Sequence, residues 1–133
     1  MTDWNQRYEL GDTPWEKGRP APPLLEVLGK LDLSIWGKGT VLVPGCGTGH
    51  DARAISARGI DALGLDLASL AVALANEHKP VGNETFELGD FLDPAWQKGK
   101  SFSAIWEHTC FCAIDPSLRP DYATACAKLI EPG

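Results

Sequence analysis

The sequence predicts an α/β fold built on a mainly parallel sheet. Three observations carry that prediction. Short apolar runs with β-branched residues recur along the chain, stretches of helical length separate them, and small or acidic residues stand where each apolar run stops. Strands alternating with helices at this spacing are βαβ units, whose right-handed crossovers place helices on both faces of the sheet.

Residues 1–23 are rich in Trp, Gly and Pro, with Trp4, Tyr8 and Trp15 spaced among turn formers. Such a segment is expected to have little secondary structure of its own and to act as a mobile cover. Pro20, Pro22 and Pro23 then lead into Leu24-Leu25-Glu26-Val27-Leu28, an amphipathic helix with proline tolerated near its start. Gly37-Lys38-Gly39 is a loop, and residues 40–44 (TVLVP) form the first buried strand. A helix follows over 51–58 with a stop at Gly59. The second strand covers 61–65 and ends at Asp66; an Ala- and Leu-rich helix spans 69–77. Residues 85–88 form a third strand running into Gly89-Asp90. The fourth strand covers 101–106, with a helix from Arg119 or Tyr122 to Ile130 behind it. Two parts result: an N-terminal cap and helix over 1–38, and a ligand-binding core over 39–133.

Composition narrows the function classes. The formal charge is −6 and the 12 basic residues are scattered, which argues against a nucleic-acid partner. No apolar run reaches the ~18 residues of a membrane span, and Met1-Thr2-Asp3-Trp4 has no signal-peptide pattern, so the expected location is cytoplasmic. Cys46, Cys110, Cys112 and Cys126 form no C-x-x-C pair and no second Cys/His cluster, so no metal site is expected and the thiols are read as reduced.

The strongest chemical signal is Val43-Pro44-Gly45-Cys46-Gly47-Thr48-Gly49-His50-Asp51, which follows a strand and opens a helix. Glycines there let the backbone turn tightly and approach a ligand. The spacing is G-x-G-x-G and not the G-x-G-x-x-G of dinucleotide sites, so an NAD-dependent oxidoreductase is the weaker alternative. Asp66 closes the second strand, where a carboxylate can accept from both hydroxyls of a ribose or, alternatively, cap the next helix. Gly89-Asp90-Phe91 ends the third: the acid can take an exocyclic amine and the aromatic can cover a ring, unless the triplet is a simple turn. Together these strand ends suit the parts of one adenosine-type ligand.

Trp4-Asn5-Gln6-Arg7-Tyr8, Thr13-Pro14-Trp15, the loop from Val41 to Asp51, Gly64-Leu65-Asp66, and Trp106-Glu107-His108-Thr109-Cys110-Phe111-Cys112-Ala113-Ile114 with Pro116 resemble the thiopurine S-methyltransferase family. Its branch of thiol, thiocyanate and halide methyltransferases looks most similar. The resemblance implies a class I, Rossmann-like methyltransferase that uses S-adenosylmethionine, yields S-adenosylhomocysteine, and takes a small-molecule acceptor: a thiol, a thiopurine-like heterocycle, or halide or thiocyanate. It implies cofactor contacts from Trp4, Gly45, Gly47, Gly49, Asp66, Asp90, Phe91 and His108. Trp15 would lie between cofactor and acceptor, and His108 would accept or orient the acceptor's proton, contact the cofactor, or pack only. Trp4 and Trp15 would shield the sulfonium, with a core-anchoring role as the alternative.

Family members have a seven-stranded sheet ordered 3-2-1-4-5-7-6, and this chain is expected to make only 3-2-1-4. An unpaired fourth strand carrying Phe102, Ala104 and Trp106 would then invite self-association through its edge. A cofactor-binding fragment without turnover is the alternative to an active enzyme.

Overall fold

A computed structural model describes residues 3–13, 16–30, 36, 38–107 and 115–130. Four strands form one sheet: β1 (Val41–Pro44), β2 (Ala62–Asp66), β3 (Glu84–Leu88) and β4 (Ala104–Ile105). Their order is β3-β2-β1-β4 and every pairing is parallel, with Val41 opposite both Ala62 and Ala104. The helices are α1 (Trp4–Glu9), α2 (Pro22–Lys30), α3 (His50–Ser56), α4 (Ser69–Asn76), α5 (Pro94–Gln97) and α6 (Arg119–Leu129).

The period of two along β1 divides the core between the faces of the sheet. Val41 and Val43 point to one face, where Leu24 and Leu28 of α2 and Ala52 and Ile55 of α3 complete a cluster. Leu42 points to the other, among Leu65, Phe91, Trp96, Phe102, Tyr122, Ala125 and Leu129. Burying each of the large side chains contributes roughly 1.5–3 kcal/mol. Among the described residues no helix is long and apolar enough to cross a membrane.

Three expectations need correction. The N-terminal segment does have secondary structure: α1 starts where the Asp3 carboxylate accepts from the Gln6 N–H at 3.0 Å, a side-chain cap that composition conceals. The fourth strand is only two residues long, and Phe102 instead makes an isolated parallel bridge to Ile130, donating to the Leu129 carbonyl at 2.8 Å. Phe102 is also not a wet edge residue. It is 5% exposed and stacked on Trp96, with ring centroids 6.2 Å apart. The chain leaving α6 therefore covers part of the edge that was expected to lie open.

Candidate functional site

The carboxyl ends of the parallel strands β1, β2 and β3 lie side by side at one end of the sheet, where open α/β sheets usually bind ligands. After β1 the chain turns through Gly45, Gly47 and Gly49, all with positive φ (64°, 57° and 94°). The last two need glycine for different reasons. A Cβ on Gly47 would stand 3.1 Å from the Tyr8 hydroxyl, so this glycine makes room beneath α1. A Cβ on Gly49 would meet the Phe86 ring at 2.6 Å and the Arg53 guanidinium at 2.7 Å. Gly49 thus lets α3 close onto β3.

Asp66 joins the loop to the next turn. Its Oδ2 accepts from the Gly47 N–H and its Oδ1 from the Ala68 N–H, both at 2.9 Å. Burial pushes its pKa up, against the pull of the Ala68, Gly47 and Leu67 backbone N–H groups. A carboxylate offers about four lone-pair sites, so Asp66 retains acceptor capacity beyond these backbone donors. Leu67 follows at 54% exposure, an apolar surface beside a polar anchor. Its signal, a leucine directly after the strand-ending acid, is in the sequence but was not read as part of the site.

At the end of β3, Asp90 is exposed and its Oδ1 accepts from the Leu92 N–H at 2.9 Å. The Phe91 ring does not stand ready as a flat cover. It is 6% exposed and packs in the core against Tyr122, with centroids 4.8 Å apart, because the turn after Asp90 sends it inward.

Helix α1 sits over this end of the sheet. Asn5 Oδ1 accepts from the Leu70 N–H at 2.8 Å and the Ser69 hydroxyl at 3.0 Å, supplying α4 with a cap from a distant part of the chain. Trp4, half-buried, lies under the Arg7 guanidinium 5.6 Å from its ring centroid. The chain after α1 is tied to the glycine loop as well. Glu16 accepts from the Thr48 hydroxyl, and its Oε1 lies 2.7 Å from His50 Nε2. Burial would raise the Glu16 pKa, but hydrogen bonds from Thr48 and Gly18 together with His50 hold it below its ordinary value. Asp51 accepts from the Ala21 N–H at 2.7 Å and from Trp106 Nε1 at 3.0 Å. Of these partners, Ala21 lies 30 positions from Asp51 and Glu16 lies 32 from Thr48, beyond any local pattern. Trp15 and His108, expected at the acceptor side, lie outside the described residues.

Comparison with known proteins agrees with this geometry. Residues 1–133 match the family described as thiopurine S-methyltransferase. The chain is 34% identical to a probable thiol methyltransferase 2 of Arabidopsis thaliana, over 98% of this chain and 57% of the relative. It is also 34% identical to thiocyanate methyltransferase 1 of Brassica oleracea, over 97% of this chain and 57% of that protein. The chain thus spans a little over half the length of these curated relatives. A solved structure from work on the conversion of a disulfide bond into a thioacetal group during echinomycin biosynthesis superposes with a TM-score of 0.75 at 28% identity, covering 90% of this chain and 49% of that one. A methyltransferase solved in complex with the Trm112 activator of Haloferax volcanii shares the fold, with a TM-score of 0.75 at 22% identity over 100% of this chain and 57% of that chain.

Proposed function

The chain belongs to the thiopurine S-methyltransferase family, and from that premise we propose that it binds S-adenosylmethionine at the carboxyl ends of β1, β2 and β3 and methylates a small acceptor. The acceptor class is a thiol, a thiopurine-like heterocycle, or halide or thiocyanate. In this reading residues 1–38 serve as the cap and 39–133 as the cofactor-binding core. The observation that carries the proposal is the Asp66 carboxylate, fixed on its protein side by the Gly47 and Ala68 N–H groups and flanked by exposed Leu67.

That arrangement fits an adenosine group. The spare lone pairs of Asp66 accept from two ribose hydroxyls, Leu67 lies against a base face, and Asp90 takes an exocyclic amine. Gly45 and Gly47 leave space for the chain beyond the ribose. When bound, the cofactor supplies a sulfonium methyl group whose bond to sulfur breaks as the acceptor's lone pair forms the new bond to carbon. The chain's own residues then have mainly to position and to exclude water. Trp4 and Trp15 shield the cationic sulfur and offer it a π face. His108 orients the acceptor or takes its proton; a free thiol has a pKa of about 8.5, so a modest downward shift supplies thiolate.

The test is turnover. The full chain, incubated with S-adenosylmethionine and a panel of small thiols, thiocyanate and iodide, is expected to form S-adenosylhomocysteine only when an acceptor is present. Binding without product across the panel would favour the alternative of a non-catalytic cofactor-binding chain.

A further inference from the structure

Glu16 sits where three side chains and a strap meet. Its Oε2 accepts from the Thr48 hydroxyl in the glycine loop, and its Oε1 pairs with His50 Nε2 at 2.7 Å and accepts from the Gly18 N–H at 2.9 Å. His50 is oriented in turn: its Nδ1 lies 3.4 Å from Arg53 Nη2, a group that only donates. That contact fits the tautomer in which Nδ1 accepts and Nε2–H donates to Glu16. Besides Glu16, the titratable groups around His50 include Asp51 and Arg53 on its own helix and His78 beyond α4, whose ring centroid is 6.3 Å away. Downstream, Asp51 holds the Ala21 N–H, so the strap over 16–21 is fastened to the loop and to the start of α3 at both ends. The loop so fastened is the one whose Gly47 N–H is bonded to Asp66.

Resting on the cofactor site proposed above, we infer that Glu16 is a positioning residue for that site: through Thr48 and His50 it locks the strap over 16–21 to the glycine loop, and so holds the loop that carries the Gly47–Asp66 bond. A loop also bonded to Glu16 is less free to shift, which makes cofactor affinity depend on a residue that need not touch the cofactor.

The experiment uses the full chain and four variants, Glu16→Ala, Glu16→Gln, Thr48→Val and His50→Ala. S-adenosylhomocysteine affinity is measured by calorimetry, and trypsin cleavage at Lys17–Gly18 is followed by mass spectrometry relative to Lys98–Gly99, which lies after α5. Losing the lock should raise relative cleavage at Lys17 about tenfold and the dissociation constant about fivefold, since the two charge-assisted hydrogen bonds that tie Glu16 to Thr48 and His50 are lost. Thr48→Val and His50→Ala should each produce part of this effect, and neither should add fully to Glu16→Ala. Glu16→Gln should recover most of the loss, because its amide can accept from His50 and donate to Thr48. Faster Lys17 cleavage in Glu16→Ala with unchanged affinity would overturn the positioning role and leave a mere tether. Unchanged cleavage would overturn the lock itself. A parent chain that binds no S-adenosylhomocysteine at all takes down the cofactor reading beneath the inference, an outcome visible before any variant is compared.

Discussion

Each oxygen of Asp66 already accepts one backbone N–H, so replacing the residue removes internal support as well as a ligand acceptor. Asp66→Ala is expected to weaken S-adenosylhomocysteine binding by about 1–3 kcal/mol, with a lower unfolding midpoint because Gly47 and Ala68 lose their partner. Calorimetry on variant protein with a native circular-dichroism spectrum checks this, and an unchanged dissociation constant would remove Asp66 from the site. A second carboxylate, Glu84, is buried at the opposite end of the sheet. It accepts from Val81 N–H at 3.0 Å and from Gly82 N–H and the Ser56 hydroxyl at 2.9 Å each. Burial alone would raise its pKa, but these bonds outweigh it and hold the value below the ordinary one. Its folded pKa therefore lies below its unfolded pKa of about 4.3. The resulting stability is fully present above that unfolded value and is lost as pH falls through the folded one. The stability gap between the parent chain and Glu84→Gln should thus narrow in urea titrations between pH 7 and pH 3, and a gap that stays constant would contradict the assignment. Asp66 and the glycines were legible in the sequence because their spacing after a strand is local. Glu16 was not, because its partners lie 32 and 34 positions along the chain.

At the scale of elements, the glycine loop separates ligand space from packing space. Gly45→Val should abolish cofactor binding with the sheet still formed, since a branched residue fits neither φ of 64° nor the ligand's space. Gly49→Ala should act on stability, costing on the order of 1–3 kcal/mol from positive φ and the clash with Phe86 and Arg53. Urea unfolding of Gly49→Ala alone and with Phe86→Leu separates the two causes. Relief by the second change identifies the ring contact, and no relief leaves the positive φ and the Arg53 contact as the cost. The elements that escaped the sequence reading share one physical reason. Both α1 and the four-residue α5 are started by aspartates, Asp3 accepting from Gln6 and Asp93 from Ala95, and both lie where prolines, glycines and turns dominate the local pattern. Helix α1 then depends on docking, with Asn5 capping α4. Asn5→Ala is expected to raise amide exchange in α1 while β1 and β2 stay protected; unaltered exchange in α1 would show that Asn5 is not what holds it.

At the scale of the molecule, the parallel order β3-β2-β1-β4 is what brings the three strand ends side by side at one end of the sheet, and β1, central and fully buried, is its foundation. That order was legible because apolar runs and helical stretches alternate along the chain. The extent of β4 was not, because Phe102 reads as a strand residue and instead packs on Trp96 and bridges to Ile130. Phe102 is thereby withdrawn from the aromatic edge that would favour association. Under the proposed function the site takes one adenosine ligand without a second nucleotide: the loop is G-x-G-x-G, the Asp66 carboxylate closes β2, and α1 lies over this end of the sheet. Calorimetric titration of the full chain with S-adenosylhomocysteine and, separately, with NAD tests that claim most directly. Saturable binding of S-adenosylhomocysteine at one site per chain, with no heat from NAD, is the predicted result; saturable binding of NAD with none of S-adenosylhomocysteine would contradict it.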